Sequence, residues 1–234
     1  MFELTTRTDN EATTFGWQMS LFFVALLLVF VYLPIDVELP VSLFALMFSA
    51  VLLAATFSVR TRGHWRLISL LLAAASIALS WAATLLLFPP TWLELSAFMI
   101  SSAFVIYTMG IIVYRIAREQ VVSIHTISAA LSLYLLMGIL GGLVYATLET
   151  AFPGSFHAAA GSLLHIDRTV DLFPPLLYFS FTTITTLGFG DLYPVSAAAR
   201  AMVIVEAVAG QIYLVAMVAM LVSMFASERA KRSV

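Results

Sequence analysis

The sequence predicts an all-α membrane protein with six transmembrane helices and one shorter helix that re-enters the membrane. Hydrophobic residues make up 62% of the 234 residues and charged residues only 10%, whereas soluble domains are about 25% charged. Apolar runs long enough to cross a bilayer, about 20 residues each, occur six times. A glycine-rich segment, 182–191, lies between the last two runs, and its irregular backbone must be buried in protein or line a watery path.

The six apolar runs are predicted transmembrane helices. They cover residues 17–33, 41–59, 67–88, 92–114, 126–148 and 197–225. A seventh apolar stretch, 175–186, would be about 18 Å long as a helix, which is too short to span. Pro174 and Pro175 suit the start of such a helix, because proline is favoured in the first turn. We therefore expect 175–186 to enter the membrane and turn back.

The distribution of charged residues predicts the orientation, since Lys and Arg accumulate on the cytoplasmic side. The predicted cytoplasmic set is Arg7, Arg60, Arg62, Arg66, Arg115, Arg118, Arg229, Lys231 and Arg232, and the outer set is Arg168 and Arg200. We expect residues 1–16 and 227–234 to be cytoplasmic segments of a plasma-membrane protein. The predicted outer loops hold Asp36, Glu38, Glu94, Glu149, Asp167, Asp171 and Asp191. These carboxylates either concentrate cations at the outer face or are solvated loop residues without a role.

The chain divides into two predicted membrane domains. Residues 17–115 form a four-helix domain, 116–125 a cytoplasmic linker, and 126–226 the second domain with the re-entrant helix. A voltage sensor needs a ladder of Arg or Lys within a helix, and the run 92–114 has none. Arg115 and Arg118 are better interpreted as anchors at the cytoplasmic end of that helix than as a residual sensor.

Small and polar residues predict where helices touch. In membrane helices such residues allow close approach or hydrogen bonding between neighbours. Ser76, Ser80 and Thr84 recur at a spacing of four in the run 67–88, which indicates one contact face. Gly138, Gly141 and Gly142 likewise indicate a face of the run 126–148 that packs closely against another helix.

The segment Thr186–Gly190 has the residue types of a cation path. Gly188 and Gly190 can take positive φ without steric cost, and residues of opposite hand between them let successive carbonyls point to one side. Five extended residues span roughly 15 Å, enough for several ions in file. The Thr186 hydroxyl adds one more oxygen. Four such strands around an axis would replace the water shell of a cation, and because one chain supplies one strand, a closed ring needs four copies.

Residues 185–191, Thr-Thr-Leu-Gly-Phe-Gly-Asp, resemble the signature of the potassium channel pore family, whose usual form is Thr-Val-Gly-Tyr-Gly-Asp. Leu187 and Phe189 depart from it but leave the carbonyls in place. The resemblance is strong over 174–225 and extends less specifically to 126. It implies a homotetrameric, potassium-selective channel without a charged voltage-sensor helix. The potassium-binding filter residues would be Thr186, Leu187, Gly188, Phe189 and Gly190, with potassium held at the first four of them.

The resemblance also implies residues that support the filter. Thr185 and Asp191 flank it, and Tyr178 and Phe179 match aromatic positions that surround the filter in the family. Thr182 stands where some family members have a glutamate that pairs with the filter aspartate. A hydroxyl cannot form that carboxyl pair, so Asp191 needs another partner or faces water.

The last helix is the predicted pore-lining helix. Glu206 is an intramembrane carboxylate, which should face protein or water. It either hydrogen-bonds the re-entrant helix behind the filter or is a neutral packing residue. Gly210 is either a hinge, as the family often has at this depth, or a small residue that lets helices pack. The predicted inner gate residues, which could form a hydrophobic constriction, are Met217, Met220 and Met224.

Composition also bounds the other function classes. Without cysteine there is no disulfide or thiolate metal site, and no nucleophile–base set or metal cluster indicates an enzyme. We expect no cofactor other than permeant potassium, no nucleic-acid partner and no soluble regulatory domain. The alternatives left open are a nonselective monovalent cation channel and a non-conducting membrane scaffold with a pore-like fold.

Overall fold

The structure is a computed structural model that describes residues 22–23, 26, 41–58, 64–86, 89–118, 124–159 and 172–232. It is mostly helical, as predicted. The elements in order are α1 (Val41–Ser58), α2 (His64–Leu85), α3 (Thr91–Ile116), α4 (Ile124–Ala151), β1 (Phe156–Ala158), α5 (Phe173–Ile184), β2 (Leu192–Pro194) and α6 (Ala197–Arg232).

Four helices are long and apolar enough to cross a membrane. They are α2, α3, the part of α4 from Thr126 to Ala151 and the part of α6 from Ala197 to Met220. The 18-residue helix α1 coincides with the second predicted span but is not among these four. The first predicted span, 17–33, lies outside the described residues except for Phe22, Phe23 and Leu26, which are helical. Six spans therefore stay a prediction.

Polar side chains connect the first helices, as the spacing of serines predicted. The Ser76 hydroxyl lies 2.6 Å from that of Ser101 and joins α2 to α3. The Trp81 indole donates to the Ser49 hydroxyl over 3.1 Å and joins α2 to α1. Thr84 instead donates to the carbonyl of Ser80 in its own helix, at 2.8 Å. The helix contact predicted at Ser76 is confirmed.

Helix boundaries differ from the predicted domain boundaries in two places. α3 ends at Ile116 and α4 begins at Ile124, so the predicted linker 116–125 overlaps helix at both ends. Within it, 119–123 lie outside the described residues. α6 continues to Arg232, through most of the tail predicted for 227–234. Residues 226–232 explain this extension of α6. Most of them are Ala, Glu, Arg or Lys, which are strong helix formers, and this stretch contains neither glycine nor proline.

A small antiparallel ladder corrects the all-α prediction. β1 pairs with β2 in the register Phe156↔Pro194, His157↔Tyr193 and Ala158↔Leu192. The sequence analysis predicted no strand either between the apolar stretches 126–148 and 175–186, where β1 lies, or after residue 191, where β2 lies. A strand of three residues is too short to show the alternating pattern that identifies strands, so this ladder was missed.

Two of the seven predicted outer-loop carboxylates are buried, so neither alternative considered for them, concentrating cations or a solvated loop position, describes these two residues. Glu149, only 7% exposed, accepts hydrogen bonds from the backbone N–H groups of Gly154 at 2.7 Å and Phe156 at 2.9 Å. It thereby closes the turn between α4 and β1. Glu94, only 2% exposed, lies in the first turn of α3, where the helix dipole favours a negative charge. The residues Asp36, Glu38, Asp167 and Asp171 lie outside the described part of the chain.

α4 is the central helix of the fold. It packs against α3 on one side and against α5 and α6 on the other. The glycines predicted to allow close packing do so. A Cβ at Gly142 would lie 2.8 Å from the Leu177 Cα, and one at Gly138 would overlap the Phe181 ring. These positions let α5 sit directly on the backbone of α4.

Candidate functional site

The site begins with α5, which is short and starts with two prolines. Pro174 and Pro175 occupy its first helical positions and Leu172 precedes them as the N-cap, as the sequence predicted for the start of a re-entrant helix. Its 12 residues give a length of about 18 Å. At the other end the N–H of Thr185 bonds to the Phe181 carbonyl at 3.1 Å and that of Thr186 to the Thr183 carbonyl at 3.0 Å. The helix stops there and the glycine-rich segment begins.

The backbone of 186–190 has an alternating hand. φ is 62° at Thr186, 57° at Gly188 and 78° at Gly190. Leu187 and Phe189, between them, have no positive φ. The sequence predicted this conformation for the two glycines but not for Thr186. A non-glycine residue with positive φ costs of order 1–2 kcal/mol, and such strain clusters at functional sites.

Besides the hydrogen bond of Thr186, a second backbone hydrogen bond attaches the segment to α5. The Gly188 N–H donates to the Thr182 carbonyl at 3.1 Å. The Thr185 hydroxyl, expected to support the filter, donates to the Phe181 carbonyl at 2.5 Å. The Thr182 hydroxyl donates to the Phe179 carbonyl at 2.9 Å, so it does not act on Asp191.

Asp191 obtains its partners from α5 and from the strands. The Tyr178 hydroxyl donates to its Oδ2 at 2.8 Å, and the Leu192 N–H donates to its Oδ1 at 3.0 Å. The Ala159 N–H donates to its backbone carbonyl at 2.8 Å. Burial raises the pKa of Tyr178 to about 12, and the hydrogen bond to Asp191 and its negative charge add to this. Tyr178 therefore stays a neutral donor at physiological pH.

Phe179, the neighbour of Tyr178, faces the interior of the protomer. It is 6% exposed, and its ring centroid lies 5.6 Å from those of both Tyr145 and Phe156. Tyr145 and Phe156 are themselves 5.2 Å apart. This three-ring cluster joins α4, β1 and α5.

Glu206 forms the hydrogen bond to the re-entrant helix that the sequence analysis considered. The Ser180 hydroxyl of α5 lies 2.5 Å from its Oε1, and the Tyr145 hydroxyl of α4 donates to its Oε2. Ser180 is also 2.6 Å from the Gly138 carbonyl. A Cβ at Gly141 would overlap the Glu206 carboxyl, so this glycine makes room for it. Glu206 thus joins α4, α5 and α6.

Gly210 packs against the last residue of α5. A Cβ at this position would overlap the Ile184 side chain, and Gly210 is buried inside the continuous helix α6. The contact favours the packing role over the hinge role. Met217 is half-buried and Met220 is 36% exposed, whereas the side chain of Met224 lies outside the described part of the structure.

Residues 133–227, which include α5, the glycine-rich segment and most of α6, match the family model described as ion channel. This part of the chain is similar to ion channels. The match covers less than half of the 234 residues, so it characterises the second domain and not the first. None of the curated proteins matches the chain, and no solved structure does. Together with the four apolar helices, the match supports a membrane protein in which residues 133–227 are similar to ion channels.

Within this ion-channel segment, the surface around 186–190 is open in a single protomer. All five of these residues are exposed, and the large apolar side chains of Leu187 and Phe189 are 62% and 67% exposed. Only 6% of the apolar window in α6 is buried. At membrane depth, irregular backbone of this kind is tolerated only where protein buries it or where it lines a water-filled path.

Three residues of the site were missed by the sequence analysis. Tyr145 was not distinguished from the other apolar residues of its helix, and Ser180 was not singled out. Tyr134 was also not singled out. Its hydroxyl donates to the Ile184 carbonyl at 3.0 Å, so the carbonyl of the last residue of α5 has a hydrogen-bond partner. A tyrosine or serine inside an apolar run signals a hydrogen bond, but the sequence does not show its partner.

Proposed function

We propose that the protein is a homotetrameric, potassium-selective channel that conducts passively through a filter formed by Thr186, Leu187, Gly188, Phe189 and Gly190. The observation that carries the proposal is the alternation of positive φ at Thr186, Gly188 and Gly190. Alternating hands along an extended strand let successive carbonyls face one side. A row of carbonyls on one side suits binding of a dehydrated monovalent cation.

Selectivity would follow from replacement of the ion's water shell. Four strands around one axis supply rings of carbonyl oxygens from Thr186, Leu187, Gly188 and Phe189, and the Thr186 hydroxyl adds a last ring. A tetramer is supported by the exposure of Leu187 and Phe189 in one protomer. In a ring, these side chains would be covered by the pore helices of the same and neighbouring subunits.

The pore helix and the inner helix would have separate roles. The C-terminal end of α5 carries partial negative charge, which would stabilise a cation below the filter. Further down, Met217, Met220 and Met224 of α6 would form the hydrophobic constriction where the pore closes. α3 contains one basic residue, Arg115, in its last turn. Gating by a charged voltage-sensor helix is therefore not expected.

The test is the reversal potential of the purified protein in a planar bilayer, with potassium on one side and sodium on the other. A reversal close to the potassium equilibrium potential is expected. A reversal near zero with clear current would favour the nonselective channel, for which the departures at Leu187 and Phe189 are the only sequence hints. No current from a verified tetramer, at any voltage, pH or inner-face treatment, would favour the scaffold.

A variant in the filter sharpens this test. A Cβ added at Gly188 meets no atom within 4 Å in the protomer, yet φ there is 57°. Gly188→Ala therefore changes backbone preference more than packing. We expect the variant to assemble and to lose potassium selectivity or current. Wild-type selectivity in this variant would contradict the proposed filter.

A further inference from the structure

A wide groove lies between α2 and α3 in the first domain, where α2 begins and α3 ends. Its volume is about 580 Å³, within the range of small-molecule sites. It is lined by Trp65, Tyr107, Gly110, Ile111, Tyr114 and Arg115. These residues are aromatic, apolar and basic, and none of them belongs to the filter or its supports.

The aromatic wall of the groove is held in place. The Tyr107 hydroxyl donates to the Trp65 carbonyl at 2.8 Å, and the two rings are stacked with their centroids 6.3 Å apart. The floor is open at Gly110, since an added Cβ would meet nothing within 4 Å. Below it, Ile106 on the same helix is exposed, so an apolar surface continues from the groove along α3.

The groove lies at the membrane–water boundary. α2 and α3 are both candidate spans, and the groove contains the second residue of α2 and the last turns of α3. Trp65 and Tyr114 are exposed by 51% and 58%, as expected for aromatic residues at the headgroup level. The distribution of Lys and Arg puts this end on the cytoplasmic side.

The charge around the groove is positive. Arg115 lines it, the Arg118 guanidinium lies 4.7 Å from the centre of the Tyr114 ring, and Arg66 is exposed next to Trp65. The only acidic residue within α2 or α3 is Glu94, about 30 Å away along α3. Glu119 follows Arg118 in the sequence and lies outside the described residues.

We propose that this groove binds an anionic phospholipid of the cytoplasmic leaflet. The phosphodiester would lie beside Arg115 at the aromatic rim, and an acyl chain would follow Gly110, Ile111 and the apolar face of α3. Basic pockets between membrane helices on the cytoplasmic side suit anionic headgroups. The proposal concerns the first domain and does not depend on potassium conduction.

The test measures which lipid the full-length protein retains. Delipidated protein is mixed with equal amounts of phosphatidylglycerol and phosphatidylcholine in detergent, and bound lipid is counted by native mass spectrometry. We expect phosphatidylglycerol to be preferred in wild type. Arg115→Gln should lower the preference about fivefold, since one basic residue near an anionic surface is worth roughly that factor.

A pair of variants at Gly110 tests the groove without changing charge. Gly110→Leu fills the floor and should lower the preference to near that of the bulk mixture, whereas Gly110→Ala should retain it. Both substitutions are on an exposed helix position, and unfolding temperatures will show that each variant is folded. The pair therefore decides the question even if Arg115→Gln fails to fold.

Three results would overturn the proposal. Wild type could retain the two lipids equally, or Gly110→Leu could keep the wild-type preference. Glycerol phosphate at the same concentration could also displace the lipid completely, which would assign the groove to a free phosphate compound. Retention that survives glycerol phosphate and falls in Gly110→Leu supports an intact anionic lipid.

Discussion

The hydrogen bonds around Glu206 depend on whether its carboxyl group carries a proton. Ser180 lies within hydrogen-bonding distance of both the Gly138 carbonyl and Glu206, but its hydroxyl has one proton. If Glu206 is neutral, its own proton can be donated to Ser180, and Ser180 donates to Gly138. Tyr145 then donates to the other oxygen of Glu206. A neutral carboxyl therefore satisfies every contact, which reconciles the two roles considered for this residue.

This arrangement predicts that an amide can replace the carboxyl. Glu206→Gln keeps one acceptor for Tyr145 and one donor for Ser180, and should change the unfolding free energy by less than about 1 kcal/mol. Glu206→Leu removes the partner of Tyr145, which is 1% exposed, and should cost about 1–3 kcal/mol. Denaturation of the detergent-solubilised protein would measure both. Equal, large losses in the two variants would show that the charge itself is required.

The Tyr178 hydroxyl donates a hydrogen bond to Asp191, for which the sequence analysis had found no partner at Thr182. Tyr178→Phe should therefore make the filter less stable, which single-channel recording would detect as shorter openings. Tyr193→Phe is the matched control, because Tyr193 is exposed on β2 and its ring makes an edge contact with His157. Equal effects of the two variants would contradict a specific role of the hydrogen bond.

The same hydrogen bond predicts a pH range for filter stability. The pKa of Tyr178 is raised from 10.0 to about 12, so its neutral form is favoured in the folded protein. Its contribution is complete below pH 10 and is lost as the pH rises through about 12. Opening times of wild type should show no Tyr178-dependent change between pH 7 and 10. A wild-type transition in that range that is absent from Tyr178→Phe would contradict the assignment.

At the scale of elements, the position of α5 depends on glycines in α4. Gly138, Gly141 and Gly142 each face a part of α5 or the Glu206 carboxyl where no side chain would fit. The spacing predicted a close helix contact, but it did not show that the partner was the re-entrant helix. The glycines of α4 therefore set the distance between α4 and α5.

A methyl group at Gly142 should displace α5. Its Cβ would lie 2.8 Å from the Leu177 Cα, and a backbone atom cannot move aside by changing rotamer. Gly142→Ala should therefore destabilise the fold by about 1–3 kcal/mol, the usual cost of overpacking. Gly110→Ala, on an open helix surface, should be neutral or slightly stabilising. A stability loss of the same size at both positions would contradict the packing argument.

At the scale of the whole molecule, two surfaces of the described single chain are exposed. The segment 186–190 is exposed and α6 is almost uncovered, although α4 is well buried. Assembly around these surfaces would enclose the filter and cover the apolar face of α6. A detergent-extracted mass near that of four protomers would agree with this, and a stable monomer would not.

Potassium should stabilise the assembled protein more than sodium does. A ligand that binds only the folded state, at about 100 times its dissociation constant, adds about 2.7 kcal/mol. The unfolding temperature of the tetramer should be higher in potassium chloride than in sodium chloride of equal ionic strength. Gly188→Ala should reduce this difference, because its filter backbone is altered. Equal unfolding temperatures of wild type in the two salts would argue against selective sites.

Much of the architecture could be predicted from local patterns. Run length and hydropathy located the spans that become α2, α3, α4 and α6, since the bilayer requires helices with all backbone groups paired. Pro174 and Pro175 marked the start of α5, and Gly188 and Gly190 marked positive φ. Each of these properties depends on one residue or on a short stretch of sequence, so it can be predicted without knowledge of the fold.

The remaining features arise only when distant residues meet. The partners of Glu206 come from α4 and α5, the partner of Asp191 is Tyr178 rather than a carboxyl at 182, and β1 pairs with a strand beyond the filter. The burial of Glu94 and Glu149 could likewise not be predicted, because both stand at the ends of predicted helices and burial there depends on neighbouring elements. Hydrogen bonding and burial depend on which helices become neighbours, and that arrangement is set by the packing of the whole protomer.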